Sequence, residues 1–302
     1  MRNAQLYDVL AGSNMQQELS SQPDAWERAA GMIAERALLP ASGERIAVVG
    51  CGTSWFMAQS YAVARESAGL GMTDAFAASE FVDRGYDAII AITRSGTTTE
   101  VLELLDGVRG RTRTVGLVGD LSTPLVDLVD DVVPLTFADE KSVVQTRFAT
   151  TALTFLRASL GQDLTGVIAA GREAVSSELA EDLVTADQYS FLGSGWTVGL
   201  AHEAALKMRE SAQSWAESYP AKEYRHGPIA IAAPGRVTWV FGRPPEGLSA
   251  DVAATGAHFE TSPVDAMADL IRAQRVALER ARRSGLDPDQ PRHLTRSVIL
   301  DS

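Results

Sequence analysis

Three charged residues that could exchange protons with a substrate lie in one helical stretch. Glu203, Lys207 and Glu210 are spaced i, i+4 and i+7, so a helix brings them to one face. Such a row is most often a charged face in water. The argument for chemistry comes from the next segment, residues 214–228, which is aromatic, rich in titratable groups and closed by a Gly-Pro pair. Loops of this kind often carry function.

His226, near the end of that segment, is one of only four histidines in the chain. A lone histidine in a loop is usually just exposed to water, but an imidazole can exchange protons near neutral pH. It could therefore act together with a carboxylate of the preceding helix. No spacing of His, Cys and carboxylate residues is typical of a metal site, and we expect neither a metal nor another cofactor.

The binding of an anion is indicated by two hydroxyl-rich turns, each of which follows an apolar run. Residues 46–49 lead into Gly50-Cys51-Gly52-Thr53-Ser54, and residues 88–92 lead into Thr93-Arg94-Ser95-Gly96-Thr97-Thr98. Hydroxyls and backbone N–H groups at the N-terminus of a helix attract anions. One such turn is ordinarily a helix cap. Two side by side predict a pocket for a small anion, most simply a phosphorylated metabolite.

Cys51 and the glycines beside it have alternative interpretations. A catalytic thiol is one, but a packing role is favoured because the turn needs a small residue there. The Gly50-x-Gly52 pair is a weak dinucleotide signal, since Trp55 stands where a third glycine would be required.

The elements that must position these residues alternate along the chain. Apolar runs typical of buried strands begin at Ile46, Ala88 and Thr114, with helical patterns between them. The capping-box spacing of Thr97 and Glu100 predicts the start of one of those helices. This alternation predicts a parallel sheet covered by helices.

The pattern recurs in the second part of the chain, where Gly193-x-Gly195 repeats the earlier glycine pair and another strand is predicted at 236–241. We therefore predict an α/β fold of two related halves, each a parallel sheet flanked by helices. Residues 1–34 are assigned to an N-terminal helical arm, 35–180 to the first half with the anion site, and 181–302 to the second half.

Composition narrows the class of protein. The chain has 302 residues, 45% of them hydrophobic and 22% charged, which is ordinary for a globular protein. Its net charge of −12, without a basic cluster, opposes nucleic-acid binding. No apolar run reaches the roughly 18 residues of a membrane span, and the first residues lack the apolar core of a signal peptide. With a single cysteine, these features predict a cytoplasmic protein without a membrane or nucleic-acid partner.

Together these motifs resemble the sugar isomerase (SIS) family, in particular the isomerase half of glucosamine-6-phosphate synthase and stand-alone amino-sugar-phosphate deaminases or isomerases. The matching segments keep the family's order over nearly the whole chain. They are residues 15–23, 51–54, 78–81, 93–98, 203–210, 223–228 and 289–298.

The resemblance implies two SIS subdomains and a homodimer with a shared active site that acts on a sugar phosphate. Glu210 would move a proton between the first two sugar carbons, and His226 would assist ring opening. The residues that the resemblance assigns to substrate binding are Cys51, Gly52, Thr53, Ser54, Thr93, Arg94, Ser95 and Thr98 around the phosphate, with Val143 and Gln145 along the sugar.

Three departures from the family pattern qualify these roles. The glutamine-hydrolysing domain of the synthase and its N-terminal cysteine nucleophile are absent, so we do not expect glutamine-dependent synthesis. Thr93 and Arg94 stand where serine and glutamine are usual, and the planar guanidinium could strengthen anion binding. Arg296 matches a tail lysine, and because arginine stays protonated it is a poor Schiff-base nucleophile. Lys207 remains a candidate amine, although its family role looks more like orientation.

The leading hypothesis is an aldose–ketose isomerase or deaminase that acts on an amino-sugar 6-phosphate and releases ammonia. Two alternatives remain open. One is an isomerase of an unaminated sugar, or of a sugar with another anionic group. The other is a non-catalytic phosphosugar sensor, a class that usually carries a helix-turn-helix domain, which is not expected before residue 14 here.

Overall fold

The computed structural model describes residues 11–300 of the chain. The chain divides into two compact units, each built from several stretches. The five-strand unit comprises Asp24–Glu140, Gln145–Thr165 and Thr295–Ser302, and the four-strand unit comprises Met1–Pro23, Lys141–Val144 and Gly166–Leu294. The boundaries predicted above, at 34/35 and 180/181, stay predictions about folding domains, and the predicted arm lies partly outside the described residues.

The strands and helices have the following bounds. The strands are β1 Ile46–Gly50, β2 Thr73–Ala77, β3 Ala88–Thr93, β4 Arg113–Val118, β5 Asp131–Pro134, β6 Gln188–Gly193, β7 Ala216–Pro220, β8 Arg236–Phe241 and β9 His258–Thr261. The α-helices are α1 Ser13–Ser20, α2 Gln22–Ala30, α3 Thr53–Ser67, α4 Thr99–Val108, α5 Arg147–Ser159, α6 Thr165–Ser176, α7 Glu181–Thr185, α8 Thr197–Ala212, α9 Leu248–Ala254 and α10 Ala266–Arg283.

Each unit contains one parallel sheet, which confirms the predicted fold class. The strand order is β2-β1-β3-β4-β5 in one unit and β7-β6-β8-β9 in the other. In both sheets the order reverses beside the first strand, between β1 and β3 and between β6 and β8. Open α/β sheets bind ligands at the carboxyl ends of the strands where such a reversal occurs.

The central strands form because their sequences offer no polar face. All residues of β1 and β3 are buried, as expected for parallel strands that helices cover on both sides. In the five-strand unit, side chains of β1, β3 and α4 make one apolar cluster that includes Val49, Ala91 and Leu105. Helix α3 packs on β1 and against α5. This packing holds rigidly the strand ends that carry both hydroxyl-rich turns.

In the described part of the predicted helical arm, the chain forms α1 and α2, and a short 3-10 helix, Glu35–Leu38, follows. Two local predictions were wrong in detail. Helix α4 has Thr98 as its N-cap and makes no side-chain capping bond, so the capping box expected at Thr97 is absent. The segment 214–228, expected as a loop, contains β7 and a 3-10 turn. Strand β7 lies at a sheet edge, where polar side chains such as Glu217 are tolerated and the apolar signal is weak.

Candidate functional site

The turn after β3 is a tight loop, residues 94–98, that leads into α4. Gly96 has a φ of 62°, and a Cβ atom there would lie 2.1 Å from Oγ1 of Thr123, so the loop requires glycine at this point. Hydroxyls hold the backbone in place. Thr93 Oγ1 accepts a bond of 3.2 Å from the Gly96 N–H, and Ser95 Oγ accepts one of 3.3 Å from the Thr97 N–H.

The turn after β1 lies next to this loop because β1 and β3 are paired. Helix α3 begins at Thr53, after Gly52 in a positive-φ conformation, and the side chains of Thr53 and Ser54 are buried. A Cβ atom on Gly50 would lie 2.7 Å from Cβ of Ser54, which shows how closely the strand end approaches the helix. The structure thus brings the hydroxyl-bearing residues of both turns to one edge of the sheet, at its point of reversal.

Cys51 packs against the apolar cluster of the five-strand unit. Burial, and secondarily the charge of Glu100, raise the pKa of the Cys51 thiol above its ordinary value. A thiol with a raised pKa is protonated at neutral pH and is a poor nucleophile. These observations favour the packing interpretation of Cys51 over the catalytic one.

The C-terminal tail lies across the loop formed by residues 94–98, within the same unit. The hydroxyl of Ser297 is 3.2 Å from Ser95 Oγ, 3.0 Å from Thr97 Oγ1 and 3.4 Å from Thr98 Oγ1. The backbone of the tail is also bonded to the start of α4, since the Thr99 N–H donates to the carbonyl of residue 298 at 3.2 Å. The neighbouring Arg296 was predicted to be a site residue from the sequence, whereas Ser297 was not.

Two arginines fix this tail. The Arg94 side chain is almost fully buried, and its Nη2 donates to the carbonyl of Arg296 at 2.8 Å. The Arg296 guanidinium forms an ion pair of 2.6 Å with Asp139 and also donates to the Glu140 carbonyl. Arg296 is therefore an anchor of the tail. These contacts give the guanidinium a structural role at a position where the resemblance indicated the amine of a lysine.

The carboxylate of Glu140 caps α5. It accepts bonds from the backbone N–H groups of Thr146, Arg147 and Phe148 at 2.8, 2.8 and 3.0 Å. Downstream of Glu140, Gln145 belongs to the five-strand unit, and its Oε1 atom is buried without a hydrogen-bond partner within residues 11–300. A buried acceptor without a partner is unusual in a folded protein. Val143 belongs to the four-strand unit, where its N–H donates to the carbonyl of residue 289.

Helix α8 presents the charged row that the sequence predicted. Lys207 is fully buried, with Nζ 2.5 Å from Oε2 of Glu210 and 3.5 Å from Oε1 of Glu203. Glu203 is fully buried as well, whereas the side chain of Glu210 is 21% exposed. One carboxylate of the row can therefore meet a ligand while the lysine holds it in one orientation. The same contacts favour an orienting role for Lys207 over that of a nucleophilic amine.

His226 ends a 3-10 turn, Glu223–His226, and its side chain is exposed. Two residues within the turn hold it in place: the buried Tyr224 hydroxyl bonds to Thr238 at 3.0 Å, and Arg225 pairs with Asp251 at 2.6 Å. In the part of the chain that the structure describes, no hydrogen bond joins His226 to Glu210. The geometry of this unit therefore brings Lys207 and Glu210 together but leaves the histidine apart.

Within residues 11–300, no group of three or more His, Cys, Asp or Glu side chains is arranged to hold a metal ion. Among the same residues, no helix has the length and apolarity needed to span a bilayer.

In fold, the protein is similar to solved sugar-phosphate isomerases and deaminases. The structure is similar to glucosamine-6-phosphate deaminase from Thermotoga maritima, with a TM-score of 0.81, 23% identity, and coverage of 95% of this chain and 100% of that one. It is also similar to tagatose-6-phosphate ketose/aldose isomerase from Escherichia coli, with a TM-score of 0.77, 21% identity and 95% coverage of both chains. These likenesses show the fold.

In sequence, the chain is 30% identical to glutamine–fructose-6-phosphate aminotransferase of Aeropyrum pernix, over 95% of this chain and 57% of that protein. It spans about half the length of the curated relatives it matches. No protein-family model matches the chain. The chain is a homologue of the isomerase part of these aminotransferases, and the resemblance inferred from its motifs is confirmed.

Proposed function

We propose that this protein is a sugar-phosphate isomerase that acts on an amino-sugar 6-phosphate and releases ammonia. The observation that carries the proposal is a buried Lys207 that holds a partly exposed Glu210, in a chain that also has a hydroxyl-lined turn at a sheet reversal. The names of the relatives support the choice of substrate, since they include a glucosamine-6-phosphate deaminase and fructose-6-phosphate aminotransferases.

The five-strand unit supplies the groups for the phosphate. Thr53, Ser54, Thr93, Ser95 and Thr98 offer hydroxyls, and α3 and α4 direct their N-terminal N–H groups towards the same edge. Local dipoles of this kind can bind an anion even though the whole chain carries a net charge of −12. The free Oε1 of Gln145 is a further acceptor for a sugar hydroxyl. The tail serine, Ser297, belongs to the same set of hydroxyls.

The four-strand unit supplies the acid–base group. Glu210 takes the proton from the carbon beside the carbonyl or imine of the open-chain sugar, and the resulting enediol or enolamine receives it back at the neighbouring carbon. With an amino sugar, water adds to the imine that forms, and ammonia leaves. Lys207 fixes one oxygen of the carboxylate, which leaves the other to receive the proton. His226 is proposed to protonate the ring oxygen during ring opening.

The test separates binding from chemistry. Glu210→Gln is expected to lower kcat for ammonia release from glucosamine 6-phosphate by about 10²- to 10⁴-fold, while calorimetry shows sugar-phosphate affinity within twofold. Ser95→Ala is expected to raise KM with a smaller effect on kcat. Glu173 is an exposed carboxylate of α6, so Glu173→Gln serves as the matched control and should leave the kinetics unchanged.

Other outcomes of these assays select among the alternatives. Equal loss of binding and turnover in Glu210→Gln would indicate a structural role for that residue. Ketose formation from an unaminated sugar phosphate, without ammonia release from glucosamine 6-phosphate, would make the protein a simple isomerase. Tight binding of sugar phosphates with no turnover of either kind would make it a sensor.

We further propose that the protein works as a homodimer in the cytoplasm. Support for a shared site comes from His226, which is exposed and not bonded to Glu210 of its own chain. Support for the compartment comes from the single free cysteine, Cys51. Equimolar mixing of Glu210→Gln with His226→Ala should restore activity that neither variant has alone. A sedimenting species of monomer mass in the active preparation would contradict the dimer.

A further inference from the structure

The hydroxyl of Ser297 lies at the centre of a group of four hydroxyls. Ser95 and Thr97 donate to Ser297 Oγ at 3.2 and 3.0 Å, and Thr98 Oγ1 is 3.4 Å from the same atom. A hydroxyl group rotates about its C–O bond, so it can turn its hydrogen towards an anion while its oxygen atom stays in place. The four hydroxyls can therefore bond to one another in the free protein and donate to a phosphate group when one is bound.

The place of Ser297 in this group depends on how the tail is held. Beyond Ser297, the N–H of Leu300 donates to Thr99 Oγ1 at 2.9 Å, at the start of α4. Before it, Arg94 Nη2 donates to the carbonyl of Arg296 at 2.8 Å. That carbonyl belongs to the peptide group that joins Arg296 to Ser297. The bond from Arg94 therefore fixes the backbone directly beside the serine.

Arg94 is the stronger of the two arginine anchors of the tail. Its side chain is 1% exposed, and its own carbonyl accepts a bond of 3.1 Å from the Gly119 N–H after β4, so the residue is fixed at both ends. A charged donor makes a stronger hydrogen bond than a neutral one, and burial removes the competition of water. In the other anchor, the side chains of Arg296 and Asp139 are 38% and 33% exposed. Ion pairs with such exposure contribute little.

The contact with the tail also changes what Arg94 can do for an anion. From the sequence, its guanidinium was expected to strengthen anion binding. In the structure, one nitrogen of that guanidinium is bonded to the backbone of the tail. To reach a phosphate with that nitrogen, Arg94 would have to release the carbonyl of Arg296 and, with it, the backbone beside Ser297.

We propose, on the basis of the function proposed above, that Arg94 is a positioning residue for the phosphate group of the substrate. Arg94 holds the carbonyl of Arg296 and thereby keeps Ser297 Oγ within reach of the hydroxyls of the loop formed by residues 94–98. Ser297 donates to the phosphate, and Arg94 acts through Ser297.

The first experiment measures binding without chemistry. Its probe is sorbitol 6-phosphate, which has no carbonyl carbon to react, and calorimetry on the full-length protein gives the affinity. Ser297→Ala and Arg94→Gln should each weaken binding by about ten- to a hundredfold, because each removes a hydrogen bond that involves a charged group. In the Ser297→Ala background, Arg94→Gln should add less than about twofold, since the residue that it positions has lost its hydroxyl.

Two further variants separate positioning from a general structural effect. Arg94→Lys keeps a charged donor and should bind the probe within about threefold of the wild type. Arg109→Gln is the matched control, since Arg109 is an exposed arginine of the same unit that also donates to a backbone carbonyl, at 3.1 Å. In assays with glucosamine 6-phosphate, Arg94→Gln should raise KM and change kcat by less than about threefold, because the phosphate lies away from the reacting carbons.

The second experiment follows the tail itself. Trypsin cleaves after arginine, and its attack on the bond between Arg296 and Ser297 requires release of the carbonyl that Arg94 holds. Arg94→Gln should therefore speed cleavage at this bond by about tenfold, measured by mass spectrometry, with unchanged rates at the other sites. Asp139→Asn should speed it by less than about threefold, since it breaks the exposed anchor. Saturating sorbitol 6-phosphate should slow this cleavage in the wild type.

Each other outcome overturns a defined statement. Effects of Arg94→Gln and Ser297→Ala that multiply would refute action through Ser297, because Arg94 would then contact the phosphate itself. Tighter binding by Ser297→Ala would show that the serine occupies the place of the anion, and faster cleavage at many sites in Arg94→Gln would show a general loss of structure. Unchanged affinity in Arg94→Gln refutes the positioning role alone. Failure of the wild type to bind either sugar phosphate refutes the proposed function itself.

Discussion

Removal of the Lys207 ammonium is the sharpest test of the network on α8. The lysine is fully buried and contacts two carboxylates, one of which, Glu203, is fully buried too. In Lys207→Met the methionine fills a similar volume but removes the ammonium that lies 3.5 Å from the buried carboxylate of Glu203. Breaking a buried ion pair from one side costs about 3–5 kcal/mol, and we expect the free energy of unfolding to fall by that amount. Glu210 contributes less to the loss because it can be hydrated.

A double substitution distinguishes the electrostatic cause from simple loss of packing. Glu203→Gln combined with Lys207→Met removes both charges, so the pair should be destabilised by less than the sum of the single changes. We expect a coupling of about 1–3 kcal/mol between the two positions. Lys222→Met, an exposed lysine in the same unit, is the control and should change stability by no more than about 0.5 kcal/mol.

Urea unfolding followed by tryptophan fluorescence measures the wild type, the two single variants, the double variant and the control, with equal m-values required for the comparison. A loss of less than about 1 kcal/mol in Lys207→Met would refute the argument, because removing one member of a buried ion pair should cost more than that. Additive single and double changes would also refute it, since the measured loss would then arise from packing alone.

Two further predictions concern a buried acid and the loop formed by residues 94–98. Burial raises the pKa of Asp269 to about 6, against bonds from Trp239 and Arg272 that lower it. The pKa of Asp269 is higher in the folded than in the unfolded protein, so its contribution to stability is complete below about pH 4 and is lost as the pH rises through 6. The free energy of unfolding should fall by about 3 kcal/mol over this range. Asp269→Asn should abolish this pH dependence, which urea titrations across the same range would measure. Gly96→Ala places a Cβ atom 2.1 Å from Thr123 Oγ1 at a φ of 62°, so we expect the free energy of unfolding to fall by about 1–3 kcal/mol and KM to rise. Adding Thr123→Ala should restore only the part of this loss that is due to the clash.

The central strands and the two hydroxyl-rich turns were predictable because their signals are local. Strands β1, β3, β4, β6 and β8 are short apolar runs between turn residues, and such runs have few alternatives to burial in a parallel sheet. Edge strands carry weaker signals. Both β7 and β9 lie at sheet edges with partly exposed polar side chains, and neither was predicted as a strand.

The row on α8 illustrates a signal that the sequence contains but does not resolve. Helical spacing alone placed Glu203, Lys207 and Glu210 on one face. A face in water and a buried network have the same spacing, and only the packing around α8 shows that Lys207 is fully buried. The geometric relation of His226 to that row was likewise undetermined, because the intervening segment forms β7 and a 3-10 turn.

The amino-acid sequence by itself determined the fold class, the relation to phosphosugar isomerases and the identity of the loop that follows β3, since each depends on contiguous residues and their periodicity. Tertiary structure alone decided where the tail goes. Ser95 and Ser297 are 202 positions apart, and no local pattern encodes a contact at that separation. The same holds for the pairing of Arg296 with Asp139, two residues from distant segments that only the packed chain brings together.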